Sequence, residues 1–176
     1  MKYKNILIIS LLIILLGACT ETEKAQLANT NDTEDPVVYF KHDDKAMNKA
    51  IQTARTTFHQ FEKAFNENDT NQYSGFTIKV GFPTQSGSKE HIWVSDIQYD
   101  KKNYSGIIYN TPVENVGFEY GDTITAIEQN QISDWMFTDT KTNKTYGGYT
   151  VRVMRDAMSD AEKQAFDQET GLNFAE

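Results

Sequence analysis

The feature that most constrains this chain is a change of hydrophobic period near residue 70. Before it, Met47, Ala50, Ile51, Ala54, Phe58, Phe61 and Phe65 recur at steps of three and four, which gathers them on one stripe of an α-helix. Lys49, Gln52, Arg55, Glu62 and Lys63 fall elsewhere on the same helix. After residue 70, Phe76, Ile78 and Val80 alternate with Thr77 and Lys79, the period of a strand with one buried face. A chain of this kind must lay an amphipathic helix on a sheet built from successive strands.

The spacing predicts a helix over 44–66, with Asp43 or Asp44 accepting a backbone N–H at its start and the polar run 66–71 ending it. Strands follow at 76–80, 90–99 and 104–109, the last two joined by the turn-like cluster 100–103. A further strand begins after Gly121-Asp122, with Ile124 and Ile127 inward. Segments 133–139 and 146–154 read as a last hairpin about 140–145. Ser159 and Glu162 have the spacing of a capping box, so a short helix should run to about residue 169 and stop at Gly171 in a left-handed cap. The expected fold is α+β: an N-terminal amphipathic helix packed on a curled antiparallel sheet or small barrel, with a short C-terminal helix.

Ahead of this body stands MKYKNILIISLLIILLGAC, in which Lys2 and Lys4 precede an apolar run broken only by Ser10. That is the pattern of an export signal. The run is too short to span a bilayer, which takes about 20 apolar residues. Leu16-Gly17-Ala18-Cys19 resembles the lipobox of bacterial lipoproteins, cut before a cysteine that then carries lipid. Cys19 is the only cysteine, so no disulfide accounts for it. Acyl chains supply the membrane affinity that a short segment lacks, at about 0.8 kcal/mol per buried methylene.

The expected organisation is a signal peptide at 1–18, a lipidated flexible tether at 19–36 and a single domain at 37–176. The tether has Leu27 as its one large apolar side chain and cannot bury enough surface to offset ordering. Val37-Val38-Tyr39-Phe40 opens the body. The full chain carries a formal charge of −8, and loss of Lys2 and Lys4 with the leader makes it −10. Such a surface repels phosphate backbones, so nucleic acid is not an expected partner. The expected partners are the membrane, through lipid, and an envelope protein or small ligand. The expected location is the cell envelope, and Thr20, not being aspartate, points to an outer membrane facing the periplasm if the cell has two membranes.

Candidate chemistry is sparse. His42, His59 and His91 are widely spaced and none has a second histidine or cysteine at ligand spacing, so neither a metal nor a cofactor is expected. The densest cluster is 90–96, where alternation places His91, Trp93 and Ser95 on one face and Ile92, Val94 and Asp96 on the other. His91 and Ser95 lie about 13 Å apart along one strand, too far to act as base and nucleophile. An aromatic-lined pocket would use Trp93 and Trp135 as walls and Asp96, Asp134 or Arg152 as polar anchors; the plainer reading puts both indoles in the core. Gly147-Gly148 lacks phosphate-loop spacing and suggests a bulge. Arg152 and Arg155 would bind a carboxylate or pair with the chain's own acids.

Taken in order, segments 44–51, 90–96, 105–106, 121–122, 132–136, 147–152 and 159–174 resemble the bacterial DUF2314 family of uncharacterised domains. The resemblance implies one domain and assigns no reaction. The residues favour a non-enzymatic, envelope-anchored binding module. The alternatives are an envelope hydrolase using Asp96, Asp134 or His91 near Trp93 and Trp135, or an immunity-like inhibitor of a toxin or cell-wall enzyme.

Overall fold

The computed structural model describes residues 44–68 and 70–176. The expected leader, Cys19, the tether, segment 37–40, His42 and Asp43 lie outside the described residues.

Helix α1 spans Lys45–Asn66. It starts where expected because the Asp44 carboxylate accepts the Met47 N–H at 2.9 Å, satisfying one of the free donors of the first turn. Its apolar stripe buries Ala50, Ala54, Phe58, Phe61 and Ala64.

Six strands follow: β1 Tyr73–Pro83, β2 Lys89–Tyr99, β3 Tyr104–Ile108, β4 Thr123–Ile127, β5 Ile132–Asp139 and β6 Lys144–Gly147. They form one antiparallel sheet in the order β4-β3-β2-β1-β5-β6. Strands β4 and β6 are its two edges, so the sheet is a curled half-barrel and the closed-barrel alternative is set aside. The chain's last residues extend the β6 edge, with the Thr145 N–H donating to Asn173 O and the Ala175 N–H to Thr145 O, both at 2.8 Å.

One face of the sheet joins α1 in the main core. Ile78, Val80, Ile92, Val94, Ile108, Ile124, Ile127, Trp135 and Phe137 meet Phe58 and Phe61 there. Stacked and edge-on ring contacts link Phe58, Phe61, Phe65, Phe76, Trp135 and Phe137. Burial of this many large side chains, at roughly 1.5–3 kcal/mol each, is what holds the fold without a disulfide. Ile124 and Ile127 are both inward although three residues apart, because the left-handed Ala126 (φ +57°) adds a residue to the strand. A smaller cluster of Val151, Met158 and Phe166 gathers Trp93, Met136, Leu172 and Phe174.

The reading of 146–154 as a strand is overturned. Strand β6 stops at Gly147, and helix α2 spans Tyr149–Ala157. Gly147 and Gly148 are both left-handed (φ +77° and +66°), a pair of conformations that turns the chain out of the sheet. Strand β3 ends at Ile108, so Tyr109 also lies beyond it. Helix α3, Asp160–Thr170, forms as its capping box dictates, with the Ser159 N–H donating to Glu162 at 2.7 Å and Gly171 left-handed at its end.

Candidate functional site

On the face of β1, β2 and β5 turned away from α1, a polar cluster collects. Register places Lys79 of β1 opposite both Trp93 of β2 and Asp134 of β5, and Gly81 opposite His91. Asp134 is fully buried. Its carboxylate accepts four hydrogen bonds: from the N–H groups of Trp135 (2.8 Å), Tyr149 (3.2 Å) and Thr150 (2.7 Å), and from the Thr150 hydroxyl (2.6 Å). Two of these donors are free amides at the start of α2, so Asp134 caps that helix from another element. Burial pushes its carboxyl above the usual carboxylate range, while the hydrogen bonds and Lys79 oppose that shift.

Burial lowers the Lys79 ammonium from its ordinary value, and Asp134 opposes this. Lys79 Nζ donates to Thr150 Oγ1 at 3.4 Å and lies 5.3 Å from the Trp93 ring centre, over its face. Ser133 falls at a register shift between β1 and β5 and is fully buried. Its hydroxyl donates to Lys79 O at 3.1 Å and sits 2.7 Å from His91 Nδ1. A hydroxyl has one proton, and Lys79 O takes it; His91 Nδ1 is therefore the donor and Nε2 the acceptor. Burial, then the charges of Lys79, Lys89 and Arg55, lower the His91 pKa to about 4, so the ring is neutral near pH 7.

A histidine in hydrogen-bond contact with a serine has the separation of a base and its nucleophile. Here the hydroxyl is sealed and already committed to a backbone carbonyl, and the four donors on Asp134 come from residues 135, 149 and 150 rather than from His91. What the arrangement does is fasten three strands and a helix start together around groups that would be costly to leave unpaired.

The structure brings His91, Trp93 and Asp134 to this one face and separates the other expected residues from it. Trp135 lies in the main core, 1% exposed, with its indole N–H donating to Ala54 O at 2.9 Å. The sheet stands between the two indoles, so the expected pair of aromatic walls does not form. Asp96 does not share the Ile92 and Val94 face: it is left-handed (φ +49°) at a bulge and exposed, and Ile97 takes the inward place. Arg152 forms no ion pair with a carboxylate among the described residues. It donates to Gly147 O (3.0 Å) and Ala175 O (2.8 Å) and lies 4.5 Å from the Phe174 ring centre, fastening the C-terminal segment. Arg155 does pair with an acid, gripping Asp167 with two bonds of 2.6 Å.

Lys79, Ser133 and Thr150 were not singled out from the sequence. Lys79 read as an outward polar position of a strand, and nothing local ties Ser133 to a histidine 42 residues away. Among the described residues, no three histidine, cysteine or acidic side chains come together as a metal site. A separate hollow of about 410 Å³ is lined by Arg55, Phe58, Gln129, Asn130 and Ile132. Arg55 is held there by Ile132 O (3.1 Å) and Asn130 O (3.3 Å).

These features define a single-sheet α+β domain whose buried polar groups serve as structural ties. The chain belongs to the family described as an uncharacterized protein conserved in bacteria (DUF2314), whose model matches residues 44–174. It is similar to the uncharacterized protein YegJ of Escherichia coli K12, 34% identical over 124 residues, covering 70% of this chain and 76% of that protein. It is also similar to a putative ankyrin repeat protein of Neisseria meningitidis serogroup B, 31% identical over 150 residues. That match covers 81% of this chain and 58% of the longer relative. No solved structure matches the chain.

Proposed function

We propose that this protein is an envelope lipoprotein, attached to a membrane through Cys19, whose domain is a non-enzymatic binding module. The anchoring role rests on Leu16-Gly17-Ala18-Cys19 after an apolar run too short to span a bilayer. No helix among the described residues is long and apolar enough to cross a membrane. The observation that carries the binding role is the loop after β3, where Tyr109, Val113 and Tyr120 are 57%, 54% and 63% exposed. Three large exposed side chains on the one connection between β3 and β4 make that loop the candidate contact surface.

The 2.7 Å contact of His91 with Ser133 is what favours the hydrolase reading. It requires Ser133 to become accessible, and the buried serine therefore supports binding over turnover.

Replacing Cys19 with alanine should move the protein from membrane to soluble fractions while its circular dichroism and unfolding midpoint stay unchanged. Retention of the variant at the membrane would overturn the anchor. For the binding role, a photo-crosslinking residue at position 120 should give a discrete adduct in intact cells that the same residue at exposed position 59 does not. Identical patterns from both positions would count against a specific surface.

A further inference from the structure

The sheet does not stay closed along its length. The β1–β2 ladder runs from Pro83 and Lys89 to Ile78 and Val94 and ends there. Beyond it β1 continues back to Tyr73 paired with β5, and β2 continues on to Tyr99 paired with β3. Each strand carries an extra residue at this level, in β1 between Ser74 and Thr77 and in β2 between Ser95 and Gln98. Gly75 and Asp96 take up the left-handed conformations, φ +63° and +49°. An extra residue bends its strand, and bends in two neighbouring strands draw them apart.

The result is a cleft of about 600 Å³ that reaches through the sheet, lined by Phe65 of α1 as well as by Met136, Thr138 and Leu172 of the opposite face. Phe76 and Ile97 form an apolar floor, Thr77 and Ser95 line the two sides, and Asp96 and the exposed Tyr109 stand at the rim. Asp96 is the one charged side chain in the lining. The Thr77 hydroxyl is buried with no hydrogen-bond partner among the described residues. A non-glycine residue held left-handed at a bulge costs free energy, and such positions cluster at ligand sites.

An occupant must do three things here. It must offer alternating donors and acceptors to two strand edges that have lost their ladder, place an apolar group on Phe76 and Ile97, and bring positive charge to Asp96. A strand of peptide does all three, as when an extended segment adds to or inserts between sheet strands. The Asn68 side chain already engages Tyr73, accepting its N–H at 2.9 Å and donating to its O at 2.8 Å, so the separated stretch left for a partner is Ser74 to Thr77, about 13 Å at about 3.3 Å per residue, which sets the segment's length.

We propose that the cleft between β1 and β2 binds an extended peptide of about four residues with a lysine or arginine, which pairs with both strand edges and sets its cation on Asp96. This inference rests on the reading of the domain as a binding module.

The test pans a phage-displayed pool of random peptides on the full-length protein in detergent, with Ser95→Trp as the counter-selection because an indole there would fill the cleft. Synthetic versions of the retained peptides are then titrated, and backbone amide exchange is followed by mass spectrometry. Retained peptides should be enriched in basic residues and should slow exchange at 75–77 and 95–97. Asp96→Asn, which tolerates the left-handed backbone, should weaken binding about two- to fivefold, the range for an exposed ion pair. If Ser95→Trp does not fold, Asp96→Asn alone carries the comparison. Peptides that protect only 109–120 overturn the cleft and leave the binding module standing. A pool in which no member is retained overturns both. Protection of 75–77 and 95–97 by chitooligosaccharides, with none by peptides, would show a sugar site and likewise overturn the proposal.

Discussion

Asp134 tests whether the polar cluster is a structural tie or a reaction centre. Replacing it with alanine leaves the N–H groups of Trp135, Tyr149 and Thr150 and the Thr150 hydroxyl without their acceptor. It also leaves Lys79, whose pKa burial already lowers, without the carboxylate that opposes this. A buried donor deprived of its partner costs about 1–3 kcal/mol, and some of that is recovered where water or a shifted backbone reaches it. Lys79 bonds Thr150 rather than Asp134, so the loss is counted on the orphaned donors, whose costs overlap rather than add. Asp134→Ala should therefore lose about 4 kcal/mol, a large share of the roughly 5–15 kcal/mol that holds a domain folded. Asp134→Asn keeps the shape and one acceptor oxygen but turns an amide NH₂ toward existing donors, so about 2 kcal/mol is expected.

The assay is equilibrium unfolding in urea followed by tryptophan fluorescence, with the dependence on denaturant unchanged between variants. Thr150→Val removes one of the four donors and should cost about 1 kcal/mol alone. Its effect should shrink in the Asp134→Asn background, because the two side chains share the bond. A loss under about 1 kcal/mol for Asp134→Ala, or any gain, would refute the structural role. A gain in stability is what removal of a strained catalytic acid tends to give.

His91 supplies the pH dependence. Its pKa falls from 6.5 unfolded to about 4 folded, so its contribution to stability is full above pH 6.5 and is lost as pH drops toward 4. At about 1.4 kcal/mol per pH unit, acidification from pH 7 to 4 should cost at most about 3 kcal/mol through this residue. The melting temperature of His91→Asn, which keeps a donor for Ser133, should fall less steeply over that range, and parallel curves would remove the assignment. Gly147→Ala places a Cβ 2.0 Å from Trp135 O and 2.6 Å from its ring, at φ +77°. It should lose more than about 3 kcal/mol, whereas Gly121→Ala, also left-handed but with open space around it, should lose only about 1 kcal/mol. Equal melting temperatures for the two variants would contradict the turn from β6 into α2.

The elements legible in the sequence are those fixed by neighbours in the chain. Helix α1 follows from its stripe and Asp44, and α3 from Ser159, Glu162 and Gly171, all within a turn or two of the structure they set. Helix α2 was not legible because its start is fixed from elsewhere. Thr150-Val151-Arg152-Val153 is rich in β-branched residues and alternates like a strand, yet Asp134, fifteen and sixteen residues earlier, takes the first two amides of the helix. The two indoles mislead in a related way. Each strand's own alternation is correct, but which face of one strand matches which face of another depends on register, and register is not written in either strand alone.

The bulges carry this further, because each one reverses the alternation on which the sequence reading depends. Ser95 to Gln98 includes Asp96, which alternation assigns to the core side and the structure turns outward while Ile97 goes in. The shift between Lys79 and Val80 brings Ser133, next to Asp134, under His91. The shift between Ser74 and Thr77 frees the edge of β1 that the cleft exposes. Positions where local pattern and structure disagree are where a fold departs from its simplest form, and that departure costs stability which some other requirement must sustain. At Ser133 the requirement is evident, since the bulge lets a buried hydroxyl join two strands. At Gly75 and Asp96 no such side-chain tie is found among the described residues: the bulges separate β1 from β2 and leave the Thr77 hydroxyl unpaired there. On the proposed reading, the cost of these two bulges is offset by the peptide that the cleft binds.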